Sequence, residues 1–276
     1  MKKIYFTIIV LLATIVANAQ TITVYEYDDN VSLSNTPAYT SSKKVKVVFA
    51  DKQEHKYVDL GLPSGTLWAT CNIGANVPED YGLYFAWGET VGNNETDISN
   101  LHLFDYNLGN FKKTSFSWVT YKYAIPYEYI TKYCTDSSVG RLDNKKMIEP
   151  SDDAAYVRWG VDWHIPSTGD FHELCNTDNC SWTWFDKGNT EFNGVAGYKI
   201  QSKITGYTDQ FIFLPATGMK QETGSVDTGR VGHYWASNLY DSKKAYSLII
   251  AYNNIDCRQD WQRYLGISIR PVRSSK

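Results

Sequence analysis

The second half of the chain is a series of short runs in which apolar residues recur at every second position. "GYKIQS" (197–202), "QFIFLPATG" (210–218), "YWASN" (234–238), "KAYSLIIAY" (244–252) and "YLGISIRPV" (264–272) are separated by Gly, Asn, Asp, Ser and Lys clusters. A period of two is the period of a strand, whose successive side chains leave opposite faces of the pleat. The runs are also too short for ordinary helices. They commit this half of the chain to sheets. Helix signals occur at only two places. Ser151 is placed to cap a helix with Asp152 and Asp153 in its first turn, "AAYVRW" as its body and Gly160 as its stop. In "IPSTGDFHELC", Ser167 or Thr168 caps a second helix, and Asp170 stands three residues after Ser167 as in a capping box. Strand runs around two short helices predict an α+β fold, mostly antiparallel, with long loops. No period of 20–50 residues is present, which argues against a solenoid or propeller.

The first half is less regular. "YVDLGLPSGTLWATCNIGA" reads as strand, turn at Pro63-Ser64-Gly65, and strand; "YGLYFAWGE" continues with aromatic strand character. Residues 90–150 read as long loops carrying short strands. Residues 20–54 read as a separate segment or spacer, with strand-like "TITVYEY" and "KVKVVFAD" around a polar, turn-rich stretch. The main domain is expected over residues 55–276.

Residues 1–19 read as a secretory signal peptide. Lys2 and Lys3 precede an apolar run from Ile4 to Val16, and Ala17-Asn18-Ala19 fits the A-x-A cleavage pattern. The run is 13 residues long, short of the roughly 20 that span a bilayer. No cysteine follows it, which argues against a lipoprotein anchor, and no later run is long and apolar enough to span. The expectation is export to the periplasm, cell surface or medium, with no transmembrane helix in the mature chain. Without Lys2 and Lys3, 25 basic residues face 30 acidic ones, a balance that argues against a nucleic-acid partner. The 21 tyrosines and nine tryptophans argue against disorder. Cys71, Cys134, Cys175, Cys180 and Cys257 are an odd set, so export permits disulfides but leaves at least one thiol free or paired between chains. Cys71, in a strand-like apolar run, is expected to be a buried thiol.

"VGHYWASN" (231–238) concentrates a histidine, two aromatics and a serine. In a strand, His233 and Ser237 share a face but stand about 13 Å apart, too far for a nucleophile and its base. Trp235, Ser237 and Leu239 are expected on one face, Tyr234, Ala236 and Asn238 on the other. Trp235 is the expected core anchor, and Gly232 the residue that lets the chain turn into the strand.

Several motifs, taken in order, carry a family resemblance. "YVDLGLPSGTLWATCNIGANVPEDYGLYFAWGET", "TKYCTDSSVGRLDNKKMIEPSDDAAYVRWGVDWHIPS", "CSWTWFDKGNTEFNGVAGYKI", "IFLPATG", "GHYWASN" and "YLGISIRPV" resemble the Fibrobacter succinogenes major paralogous domain, common in secreted proteins of Bacteroidetes. The resemblance covers about Lys56–Arg273. That family is similar to the C-type-lectin-like superfamily, which includes the formylglycine-generating enzymes and the variable proteins of diversity-generating retroelements. The resemblance implies a compact α+β domain with its first and last strands close together, two helices flanking the sheet and an exposed loop face. It implies no settled activity.

The residues offer little catalytic chemistry. No G-x-S-x-G elbow exists. "HELCN" (172–176) lacks the second histidine of a zinc helix. Cys257, the one late cysteine, lacks a partner close in sequence for the cysteine chemistry of the enzyme branch. No catalytic residue is assigned, and the chain is read as a non-enzyme. No cofactor is assigned, with calcium as the alternative: Asp143, Asn144, Glu149, Asp152 and Asp153 cluster in sequence but match neither an EF-hand nor the lectins' Glu-Pro-Asn or Gln-Pro-Asp signature. Helix-start electrostatics explains this acidic cluster without a metal. The stretch from Ser237 to Gln262 mixes Tyr with Asn, Asp, Ser and Arg, the chemistry of antibody recognition loops. Tyr240, Asn253, Asn254, Asp256, Arg258, Asp260 and Gln262 are expected in turns or near strand ends and exposed to a glycan or protein ligand. The expected function is a secreted or surface-displayed binding module. The alternatives are a structural subunit of a surface or fimbrial assembly, an enzyme on a formylglycine-generating-enzyme-like scaffold, and a retroelement-diversified variable protein.

Overall fold

The computed structural model describes residues 55–95, 113–124 and 129–275. The two strand-like runs expected within 20–54 lie outside these residues. In chain order the elements are β1 (Tyr57–Asp59), β2 (Thr66–Ala69), β3 (Tyr84–Phe85), α1 (Ala154–Trp159), β4 (Trp163–His164), α2 (Thr168–Cys175), β5 (Cys180–Phe185), β6 (Gly197–Ser202) and β7 (Phe211–Pro215). They continue with β8 (Met219–Gln221), β9 (Gly224–Val226), β10 (Val231–Leu239), β11 (Lys244–Ala251), β12 (Asn254–Gln262), β13 (Ile267–Ser268) and β14 (Val272–Ser274). The strands form sheets ordered β1-β2-β14-β4, β12-β11-β10-β13-β3, β5-β6-β7 and β8-β9. All pairs are antiparallel except β10 with β13. The architecture is α+β, mostly antiparallel with two short helices.

Both helices start where buried chemistry permits. The capping box at α2 is as expected: Ser167 Oγ accepts from Asp170 N at 3.2 Å, and Asp170 Oδ2 accepts from Ser167 N at 2.7 Å. At α1 the cap is Asp153, not Ser151. Pro150 opens a 3-10 turn over Pro150–Asp152, which delays the helix by two residues. The Asp153 carboxylate then accepts from Ala155 N, Tyr156 N and, across the chain, Ile165 N at 2.8–3.1 Å. Burial pushes this carboxyl above its usual range despite those bonds. Gly160, at φ +103°, ends the helix as expected.

β10 is the spine of the five-stranded sheet. Tyr234 and Trp235 leave opposite faces, and both are fully buried rather than Trp235 alone. Tyr234 packs with Trp68, Phe171, Leu214 and Leu248; Trp235 packs with Phe85, Trp87 and Ile267. The sheet therefore carries core on both sides. Three of the buried polar tips find backbone acceptors: Trp235 Nε1 donates to Phe85 O, Trp87 Nε1 to Ala236 O and Tyr234 Oη to Pro215 O, at 2.6–2.8 Å. Gly232 does not turn the chain into the strand. It lies inside β10, where a Cβ would come within 2.6–2.9 Å of Ile250 and the Pro215 carbonyl, so its role is close approach. The Pro63-Ser64-Gly65 turn forms as expected, closed by Gly65 N to Leu62 O at 2.8 Å.

"YLGISIRPV" is one run in sequence but two strands in space. β13 joins the five-stranded sheet, and β14 inserts between β2 and β4. Between them lies Arg270, fully buried. Its guanidinium donates to Asn72 Oδ1 (2.9 Å), Ala69 O (3.2 Å), Thr70 O (3.0 Å) and Phe213 O (2.9 Å). Arg263 is buried in the same way, donating to Tyr121 Oη, Tyr133 O, Ser242 O and Lys132 O at 2.7–3.0 Å. The rings of Trp87, Tyr121 and Tyr133 stand 5.0–5.7 Å from its charge.

Replacing Arg270 by Met is expected to lower unfolding free energy by about 3–5 kcal/mol, because several buried acceptors lose their donor at once. Lys is expected to rescue only part, since an ammonium cannot reproduce the planar fork. Urea denaturation checks both; a loss below about 1 kcal/mol for the Met variant would show that the carbonyls find other donors.

Candidate ligand-binding surface

The stretch that sequence reading singled out is organised by the β10–β11 turn. Between Trp235 and Leu239 the β10–β11 register is broken before pairing resumes at Leu239–Ala245, and β10 takes further partners: Ser237 N donates to Pro166 O, Ile148 N to Ser237 O and Leu239 N to Lys146 O, at 2.7–3.0 Å. The turn that follows is tied at every residue. Asp241 Oδ1 accepts from the backbone of Lys243 and Lys244 at 2.8 Å. Ser242 is buried beneath it, its Oγ accepting from Thr135 N at 2.9 Å and its carbonyl held by Arg263. Tyr240 is thus launched from a rigid base with half of its surface exposed. Its ring stands edge-on to Tyr246 at 5.2 Å. Lys244 reaches over the Tyr240 ring and pairs with Asp260 at 2.7 Å, and that carboxylate raises the Lys244 pKa. Tyr246 lies opposite Asp260 across the β11–β12 ladder. Farther along β12, Arg258 donates from Nε to His172 Nε2 of α2 at 2.6 Å.

β12 is the main departure from expectation. Asn254–Gln262 is a nine-residue edge strand that has Asn254 and Gln262 at its ends, as expected, but carries Asp256, Arg258 and Asp260 within it. Only Tyr240 and Asn253 of the seven expected binding residues lie in turns. Tyr240, Asn253, Asn254 and Arg258 are exposed, while Asp256, Asp260 and Gln262 are half-buried. The seven do not converge. Lys244 pairs with Gln262 at one end of the ladder and Ala251 with Asn254 at the other. Seven residue steps at about 3.3 Å separate these ends by roughly 23 Å. Tyr240, Asp260 and Gln262 belong to the first end, Asn253 and Asn254 to the second, and Arg258 lies between. Asp256 is held locally, accepting from Arg258 N and from Gln259 Nε2 at 2.9 and 2.5 Å.

The second end has aromatics that sequence reading did not assign. Tyr252 is 65% exposed and stands 6.4 Å from Trp184, which packs on Tyr198 with Trp182 alongside. The signal for β12 and its hairpin was present: Ile255, Cys257 and Trp261 alternate with Asp256, Arg258 and Asp260 after an Asn-Asn pair. Asn253 takes the left-handed φ of +57° that asparagine tolerates.

The acidic residues considered for calcium are engaged by the protein's own donors. Asp143 accepts backbone N–H groups of Tyr133, Cys134 and Lys145. Glu149 pairs with Lys132 and Lys145, Asp152 with Lys132, Lys122 and the Tyr133 hydroxyl, and Asp153 caps α1. Asn144, at φ +54°, follows Asp143 in the same turn. Among the described residues no group of three or more His, Cys, Asp or Glu side chains is arranged to hold a metal. Cys71 is half-buried at the end of β2 rather than buried. Among the described residues no helix is long and apolar enough to cross a membrane.

His233 and Ser237 are both buried on β10, but neither His233 ring nitrogen meets a protein hydrogen-bond partner. The ring lies edge-on to Trp261 at 5.3 Å. Burial pushes the His233 pKa down to about 4, against a small upward pull from Asp227. The unfolded chain, with a histidine pKa near 6.5, takes up this proton first as pH falls. Stability contributed by neutral His233 is therefore complete above about pH 6.5 and is lost as pH falls toward 4, by on the order of 3 kcal/mol. His233→Phe is expected to flatten this limb relative to the unsubstituted chain. Denaturation midpoints at pH 7, 5.5 and 4.5 check it, and parallel pH profiles for the two proteins would sink the assignment.

Comparison with protein-family models, with curated proteins and with solved structures finds no match to this chain.

Proposed function

We propose that this chain is an exported, non-catalytic binding module of C-type-lectin-like fold, related to the Fibrobacter succinogenes major paralogous domain, that recognises a glycan or protein ligand through the surface following residue 237. The observation that carries this reading is Tyr240: a half-exposed aromatic ring on a turn anchored from beneath, bordered by Lys244, Asp260 and Tyr246. A rigid tyrosine loses little conformational freedom on binding and offers both an apolar face and a hydroxyl. Such a ring stacks on the apolar face of a sugar or a peptide side chain. Arg258 adds a cation at a fixed place because His172 holds its Nε.

The pairing of β14 with β2 supports the fold assignment, since it brings the two ends of the domain together as that superfamily requires. The non-catalytic reading is supported by the isolation of His233 from Ser237. Recognition by side chains is favoured over assembly by strand addition for a specific reason. The exposed edge β12 carries Asp256, Arg258 and Asp260, and the β11–β12 ladder is bulged between Ser247 and Ile249; both features keep an edge strand from pairing with another chain.

The mature chain, screened on glycan and protein arrays with and without calcium, is expected to give specific binding that survives removal of calcium. Tyr240→Ala combined with Arg258→Ala is expected to weaken that binding at least tenfold, while each single variant changes stability by no more than about 0.5 kcal/mol, as for other exposed positions. Unchanged binding by a folded double variant would remove the ligand from this surface.

A further inference from the structure

The fold sorts the five cysteines into three neighbourhoods. Cys71 sits at the end of β2, 3.8 Å from the Thr70 hydroxyl. Cys134 is buried, its thiol donating to Asp136 O at 3.1 Å and approaching Ser242 Oγ at 3.6 Å. Cys175, Cys180 and Cys257 gather in one apolar cluster beneath α2. Within that cluster Cys175, the last residue of α2, and Cys257, in the middle of β12, are partly buried free cysteines brought side by side where α2 packs on β12. Packing holds them there. α2 lies against β12, and one helical turn before Cys175 the His172 ring accepts from Arg258, the residue after Cys257. His172 and Cys175 are three apart, so they share a helix face. Cys180 is turned into the core, 1% exposed, on a strand paired with β6.

We propose that Cys175 and Cys257 form a disulfide, a covalent staple between α2 and the edge strand of the five-stranded sheet. The oxidant is a disulfide of a small thiol or of a thiol-oxidising protein. Cys257 loses its proton and its thiolate attacks one sulfur of the oxidant, releasing one thiol and leaving a mixed disulfide. Cys175, deprotonated in turn, attacks the Cys257 sulfur and expels the second thiol. One S–S bond forms in the protein and one breaks in the oxidant, which receives two electrons and two protons. Burial, with Cys257 beside it, pushes the Cys175 thiol up, which suits it to act second. The step belongs in an oxidising compartment and in the cell rests on the proposed export. The staple leaves Cys71, Cys134 and Cys180 as thiols and fixes β12, the strand that presents Arg258 and Asp260.

The test uses the purified chain, reduced and then exposed to oxidised glutathione, so that its outcome is independent of cellular delivery. Trypsin cuts after Arg158, Lys187, Lys244 and Arg258, so the disulfide joins peptide 159–187 to peptide 245–258. Non-reducing mass spectrometry is expected to find that pair in the unsubstituted chain and in Cys180→Ser, and to lose it in Cys175→Ser and in Cys257→Ser. The oxidised protein is expected to melt on the order of 5–10 °C above the reduced one, a difference absent from Cys257→Ser. A cross-link that disappears in Cys180→Ser, a glutathione adduct that stays on Cys257, or equal melting of the two forms would overturn the proposal. Linkage in vitro combined with a chain recovered from the cytoplasm as thiols would instead count against export.

Discussion

Two guanidinium groups with no exposed surface, Arg263 and Arg270, hold this fold together, and neither donates to a carboxylate. A buried cation must be solvated by something, and here backbone carbonyls supply most of the acceptors. The planar fork of arginine reaches several acceptors at fixed angles, so each residue clamps segments far apart in sequence. Arg270 joins residues 69–72 to Phe213, and Arg263 joins residues 121–133 to Ser242. The described segments between β3 and α1 carry few regular ladders of their own. They are held by Arg263 and by the buried Glu89–Lys113 pair at 2.8 Å. Burial pulls the Arg270 pKa below its usual value, the direction expected when the solvating groups are neutral dipoles.

The same arrangement decides where function can lie. Because core covers both faces of the five-stranded sheet, the inner residues of β10 and β11 are spent on packing, and His233 and Ser237 with them. What stays accessible is the rim: the β10–β11 turn, the edge strand β12 and the hairpin end at Tyr252. Arg263 sits beneath the first of these, since it holds the Ser242 carbonyl two residues after Tyr240. The stabilising clamp is thereby the support of the candidate surface, and a ligand meeting Tyr240 meets a ring whose backbone is already fixed.

Local features were legible wherever a few neighbouring residues decide the outcome. The α2 capping box, the Gly160 stop, the turn at Gly65 and the alternation in β6, β7, β10 and β11 are of this kind. The shift of the α1 cap from Ser151 to Asp153 was not, because Asp153 is favoured by a bond to Ile165, which only tertiary packing brings near. β12 went unread because its polar face resembles a loop in composition, although its alternation follows the strand period. The one-sided core expected around Trp235 became two-sided because α2, β1–β2 and β5–β7 cover the opposite face of the sheet, and nothing in "VGHYWASN" records that.

By itself the sequence determined the class of fold, the positions of most strands, both helices and the aromatic character of the stretch around residue 240. These depend on side-chain period, capping and turn chemistry, which act over a few residues. Tertiary structure alone decided that "YLGISIRPV" would split between two sheets, that Arg263 and Arg270 would be interior clamps, that the expected binding residues would part into two ends of a ladder, and that Cys175 would face Cys257. Each of those outcomes rests on acceptors, donors or thiols brought together from distant parts of the chain, and no local pattern encodes such a meeting.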